Sequence, residues 1–262
     1  MQIERLGDGD PEVAVVGGIH GDEPSGVAAV ERFLADRPSV DRPVAFVLAN
    51  ERAVAAETRY VDADLNRSFP GDPDSEAHEE RLAARLTEEL GDCAVLALHS
   101  TQSYGDPFAV VDGLGSFERE HCPALPVEAV VEAGRFDAGR IFASLPRTIE
   151  VECGLQGSQA AADNAVTITR AFLQATGVLP GDPPTRRTSL PVFDLQRSVP
   201  KAPAADYEVY AENFQPVPEG DPFAAADGEQ LRAPEDFYPV LMSAEGYEEQ
   251  FGYAATRVGT LS

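Results

Sequence analysis

Lysine is almost missing from this 262-residue chain. Lys201 is the one lysine, and Asp plus Glu number 45 against 20 Lys plus Arg, for a formal net charge of −25. A surface so short of positive charge repels phosphate backbones and anionic bilayers, which argues against nucleic acid and membranes as partners. The acid is spread along the chain rather than gathered into a tail. That distribution suits a salt-adapted, halophilic surface on which carboxylates hold water and cations. Cysteine is scarce as well. Cys93, Cys122 and Cys153 are odd in number and widely spaced, so no disulfide framework is expected. There is no long apolar run of the kind that spans a bilayer, and the opening "MQIERLGDGD" is polar, so a cytoplasmic protein is expected. Against this background any group of arginines stands out.

What is present is an α/β pattern. Hydrophobic residues make up 43% of the chain, enough for one large α/β domain or a core domain with a smaller companion. Apolar β-type runs recur at 11–16, 43–49, 93–99, 108–111 and 148–153. Helical spacing follows at 27–34. It recurs at 75–90, opening on Ser75 with Leu82, Leu86 and Leu90 along one face, and at 158–176, opening on Ser158. Strands alternating with helices predict an α/β sheet with parallel strands. After Gly177 the texture changes to the Pro-rich "LPGDPPTRRTSLP" and then to short β-like pieces without a long helix. The expected division is an α/β domain over 1–180 and a smaller β-rich domain over 185–262.

Three stretches carry chemistry. "GGIHGDEPSG" (17–26) joins an apolar run to a helical pattern, a strand-to-helix turn of the sort where α/β proteins place functional groups. His20 and Glu23, three apart, can reach one point; equally, Asp22 or Glu23 can cap the helix. A zinc site with an open position needs three protein ligands. The chain has four histidines. His78 lies in a charged helix and is expected to be solvated, His121 lies in a polar loop, and His99 ends a strand at the edge where sheet ligands gather. The second stretch, "TRYVDADLNRSFPG" (58–71), places Arg59 and Arg67 around Asn66, an arrangement suited to a carboxylate. It also fits a surface loop whose arginines pair with Asp62 and Asp64. The third, "RTIEVECGLQGS" (147–158), puts Glu150 and Glu152 on one face of a strand.

Taken in order, "GGIHGDEPSG", "TRYVDADLNRSFPG", "LALHS" and "IEVECG" resemble the succinylglutamate desuccinylase/aspartoacylase family of zinc amidohydrolases, with a looser echo in "YPVLMSAEGYEEQFGYAA" (238–255). The resemblance implies a zinc-carboxypeptidase-like mixed sheet flanked by helices, with the β-rich C-terminal domain contributing to the substrate site. It implies one zinc per chain on His20, Glu23 and His99, with Arg59 beside the scissile carbonyl. Asn66 and Arg67 would take the substrate carboxylate, and Tyr247 would close over the substrate. The family's Glu-x-Gly pattern makes Glu152 the general base, whereas an ungapped count from Pro146 points to Glu150. "GRIFASLP" resembles the segment whose arginine takes a second carboxylate, which makes Arg140 a selectivity residue unless it pairs with an acid such as Asp137. The implied partner is a small N-acyl amino acid with an acidic side chain, and a homo-oligomer is left open. Rival readings are a succinylglutamate desuccinylase-like or carboxypeptidase-like hydrolase, and a non-catalytic protein that binds an acidic metabolite.

Overall fold

The computed structural model describes residues 1–136, 138–182 and 185–262; Asp137 and two prolines of the expected linker lie outside the described residues. The first part of the chain runs β1 (Gln2–Leu6), β2 (Val13–Gly17), α1 (Pro24–Asp36), β3 (Val44–Leu48), α2 (Glu51–Ala56), α3 (His78–Leu90), β4 (Ala94–Thr101) and β5 (Phe108–Val111). It continues with α4 (Ser116–His121), β6 (Val130–Glu132), α5 (Ile141–Ser144), β7 (Thr148–Leu155) and α6 (Gln159–Ala175). The remainder holds only strands among the described residues: β8 (Leu190–Pro200), β9 (Tyr207–Val209), β10 (Pro222–Ala226), β11 (Glu229–Arg232), β12 (Tyr238–Val240) and β13 (Gln250–Leu261).

Ten strands form one sheet in the order β1-β3-β2-β4-β7-β5-β6-β8-β13-β12. Its centre, β3-β2-β4-β7, is parallel, as the alternation of strands and helices predicts. The whole is mixed. β1 pairs antiparallel with β3, and β5 pairs antiparallel with β7. The reason for β5 is the length of its approach. Only residues 102–107 separate it from β4, too few for the crossover that a parallel return requires. The β-rich C-terminal region contributes β8, β13 and β12 to this sheet, while β9, β10 and β11 make a separate three-stranded sheet. Among the described residues, no helix is long and apolar enough to cross a membrane.

The core lies on both faces. On one, Val15, Leu96, Leu98, Ile149 and Val151 pack with Phe33 of α1 and Phe172 of α6. On the other, Val16, Val47, Val95 and Ala97 meet Leu82, Leu86 and Leu90 of α3, the leucines whose spacing marks that helix in the sequence. α6 is capped as expected, its Ser158 side chain accepting from Ala161 N. α3 starts later than expected. Ala77 occupies its cap position, and Ser75 Oγ instead accepts from Ala77 N in the turn before it.

Strand periodicity positions the site. Side chains alternate across a strand, so His99 shares the α3-side face with Val95 and Ala97. The parallel register then sets His99 beside Glu152 and Ala97 beside Glu150. Glu152 therefore emerges at the carboxyl end of the sheet, and Glu150 sits one step deeper.

Candidate active site

The turn 17–26 is glycine-rich because backbone crowds it. A Cβ on Gly17 would lie 2.4 Å from the Gly26 carbonyl oxygen, and one on Gly21 would lie 2.1 Å from the Ala53 carbonyl carbon. The close approach lets α1 start directly against β2 and turns His20 and Glu23 inward. Glu23 occupies the cap position of α1, yet its side chain makes no cap hydrogen bond, so the helix-cap alternative does not hold for it. Its Oε1 meets His20 Nδ1 at 2.7 Å, and its Oε2 meets His99 Nδ1 at 3.0 Å and accepts from Ser100 N at 3.1 Å. One ligand atom from each of His20, Glu23 and His99 can be chosen so that all lie within 4.8 Å of one another, and all three residues are buried.

Asp64 organises the next layer. Its Oδ1 meets His20 Nε2 at 3.1 Å and accepts from Asn66 N at 2.9 Å. Its Oδ2 accepts from Arg59 Nε and Nη2 at 3.1 and 3.0 Å. Arg59 also donates to Glu23 Oε1 at 3.3 Å. The sequence alternative that Arg59 pairs with Asp64 is therefore correct in its contact, but Arg59 lines a cavity rather than an open surface. Burial opposes charge on His20, but Glu23 and Asp64 outweigh it and raise its pKa to about 9. Burial also opposes the Glu23 carboxylate, and the two histidines nevertheless hold its carboxyl well below the usual range.

The two glutamates of β7 have different surroundings. Glu150 is buried; its Oε1 accepts from Asn66 Nδ2 and its Oε2 from Arg140 Nη1, both at 2.8 Å. Glu152 lines the cavity, and its buried Oε2 has no hydrogen-bond partner. Burial raises the Glu152 carboxyl, and nearby Glu23 adds to the effect, bringing its pKa up to about 7. Asn66 gives one amide N–H to Glu150 and accepts from Ile141 N at 3.0 Å, so one N–H is left for anything in the cavity. Arg67 is exposed, with Nη1 on the Asn66 carbonyl at 2.6 Å. Arg140 is buried on Glu150, and its Nε is an orphaned donor. Tyr247, on the turn between β12 and β13, lines the cavity, and burial raises its hydroxyl pKa. The nine residues to which the resemblance assigns a role thus border one cavity, while Glu150, the alternative base, does not.

Two histidines differ from expectation. His121 is not in a loop; it ends α4, buried, with Nδ1 at 2.8 Å from the Phe117 carbonyl. His78 is half-buried at the start of α3, and its Nε2 is buried without a partner. Neither belongs to the His-Glu-His group. One supporting residue carries no signal in the sequence. Glu79, fully buried, accepts from Asn50 Nδ2 and Val61 N at Oε1 and from Asp62 N and Ala63 N at Oε2, at 2.7 to 3.1 Å. It pins the backbone leading into Asp64, and "SEAHEERL" offers several acids among which nothing marks it.

The fold is shared with solved structures. It matches murine aminoacylase 3 with a TM-score of 0.75 at 23% identity over 97% of this chain and 98% of that one. It also matches a succinylglutamate desuccinylase from Silicibacter sp. TM1040 with a TM-score of 0.78 at 21% identity, over 98% of this chain and 88% of that one. Residues 9–105 match the family model of the succinylglutamate desuccinylase/aspartoacylase catalytic domain. An N-acyl-aromatic-L-amino acid amidohydrolase (carboxylate-forming) of Xenopus tropicalis is 26% identical over 94% of this chain and 92% of its own length. These matches support the resemblance to the succinylglutamate desuccinylase/aspartoacylase family that the motifs carry, most strongly over residues 9–105.

Proposed function

We propose that this protein is a zinc-dependent deacylase that hydrolyses the amide bond of a small N-acyl amino acid. The observation that carries the reading is the meeting of His20, Glu23 and His99 with the unpartnered oxygen of Glu152 in one cavity. The donor set fits zinc. Two imidazoles and a carboxylate with an open side are the catalytic type of zinc site. His99 Nε2 is buried without a partner, and the carboxylate of Asp64 on His20 is the outer-shell contact that orients a ligating histidine. Zinc bound there would supply a Lewis acid and a water of lowered pKa.

The chain's own residues account for the remaining steps. Glu152 takes a proton from the attacking water and passes it to the departing amine. Arg59, held in place by Asp64, faces the oxygen of the scissile carbonyl, where charge grows in the transition state. Arg67 and the spare amide N–H of Asn66 hold the α-carboxylate, and Tyr247 closes the cavity above it. The domain division belongs to the same proposal, with 1–180 supplying the chemistry and 185–262 reaching the site through Tyr247. So does the preference for an acidic side chain, which rests on the orphaned Nε of Arg140. Glu150 favours a second reading. It already balances Arg140, which suits a neutral side chain. Amine release from a panel of N-acetyl amino acids, measured with zinc in high salt, separates the two. N-acetyl-aspartate cleaved no faster than N-acetyl-alanine removes the acidic preference. No cleavage of any member removes the deacylase reading.

A further inference from the structure

The single lysine of the chain lies beside the active-site cavity rather than on open surface. Lys201 immediately follows β8 and is half-buried. Its Nζ donates to the carbonyls of Ala244 and Tyr247, both at 2.6 Å. The ammonium sits 5.0 Å from the Tyr207 ring centre and 5.5 Å from that of Phe251. Its backbone N donates to Glu249 O at 2.9 Å. The two carbonyls bracket residues 244–247, and Gly246 and Tyr247 line the cavity. On the inner side of the same turn, Ser243 Oγ accepts from Glu245 N and Gly246 N at 3.1 and 3.2 Å. The serine thus satisfies the turn's N–H groups and the lysine its carbonyls.

The chemistry explains why lysine stands here in a chain whose other 19 basic residues are arginine. A tetrahedral ammonium is a compact charge that can send two N–H groups to two carbonyls of one tight turn while resting on aromatic faces. A planar guanidinium can also donate to two carbonyls, as Arg186 does to Arg119 and Glu120, but it is wider and spreads its charge over the fork. We infer that Lys201 is a positioning residue that latches the Tyr247 turn over the cavity and so sets how firmly the substrate is enclosed. The role rests on the deacylase reading, which places Tyr247 over the substrate.

Hydrogen exchange and kinetics on the full chain test it. In Lys201→Met, amide exchange across 244–249 speeds up about tenfold or more, the scale expected for losing hydrogen bonds to a charged group. Exchange in β2 and β4 stays as in wild type. KM for N-acetyl amino acids rises about tenfold while kcat changes less. Adding Lys201→Met to Tyr247→Phe costs little more than the worse single change, because both act through one turn. Exchange across 244–249 equal to wild type, or single losses that multiply in the double variant, would overturn the latch. Should Lys201→Met not fold, Lys201→Gln carries the exchange test. Its side chain is neutral and shorter, so faster exchange confined to the turn is again required, and wild-type exchange overturns the latch. Exchange is read without substrate, so a wild type that cleaves no N-acetyl amino acid sinks the deacylase reading while leaving the latch measurable.

Discussion

Replacing Glu79 by Gln changes one atom of a buried carboxylate, and the structure assigns that atom a cost. Whichever end the new amide NH₂ occupies, it faces two donors. At one end they are Asn50 Nδ2 and Val61 N, at the other Asp62 N and Ala63 N. Turning Asn50 over does not rescue the first case, because its Oδ1 caps α2 by accepting from Ala53 N. Two donors to the buried carboxylate therefore lose their acceptor, at about 1–3 kcal/mol each, so the variant should lose ~4 kcal/mol. With a urea m of about 3 kcal/mol/M, that lowers the unfolding midpoint by roughly 1.3 M.

The loss also depends on pH, and its sign can be worked out. Burial alone would raise the Glu79 carboxyl, but its hydrogen bonds from Val61, Asn50, Asp62 and Ala63 outweigh that and lower it from its ordinary value of 4.5. A carboxyl depressed in the folded state stabilises the protein above its unfolded pKa, and this contribution fades as pH falls through the folded pKa. Glutamine does not titrate. The gap between wild type and variant is thus full at pH 7 and narrows once pH drops below about 4.5. Urea titrations of both proteins across that range give the answer. Equal midpoints at neutral pH, or a gap that persists unchanged into acid, would refute the reasoning.

The glutamates of β7 should separate cleanly: Glu152→Gln keeps fold and metal but loses roughly two to four orders of magnitude in turnover. Glu150→Gln loses far less turnover, and by leaving Arg140 unbalanced it shifts selectivity toward acidic side chains; the reverse ranking of turnover would make Glu150 the base. On the N-acetyl amino acid panel, Arg67→Ala should damage every substrate, since all carry the α-carboxylate. Arg140→Ala should erase any acidic preference and leave slow cleavage of neutral substrates, and an unchanged profile would remove Arg140 from substrate recognition.

Much of the fold is legible in local pattern. The runs behind β2, β3, β4, β5 and β7 are apolar and rich in β-branched residues, and the leucines of α3 and the Ser158 cap of α6 are periodic signals. β1 escapes because "QIERL" is mostly exposed along an edge, and β6 because three residues set no period. β8 and β13 read as short pieces, since register shifts and glycines interrupt an otherwise long pairing. At the site, residues that reach the cavity from turns and strand ends stand out by type against an acidic chain short of histidine. Their partners do not. Asp64 on His20 and Glu79 under the 61–63 backbone join segments that local pattern does not connect, and one acid among 45 looks like another until the fold brings it into contact.

The central claim is that His20, Glu23 and His99 hold a catalytic zinc, and metal content measured alongside turnover tests it most directly. The purified wild type should carry about one zinc per chain, lose activity to a chelator and regain it when zinc is returned. His99→Ala should retain its fold and lose most of the metal, while His78→Ala keeps it. Full zinc occupancy in a folded His99→Ala protein, or hydrolysis by a wild type stripped of metal, would contradict the account.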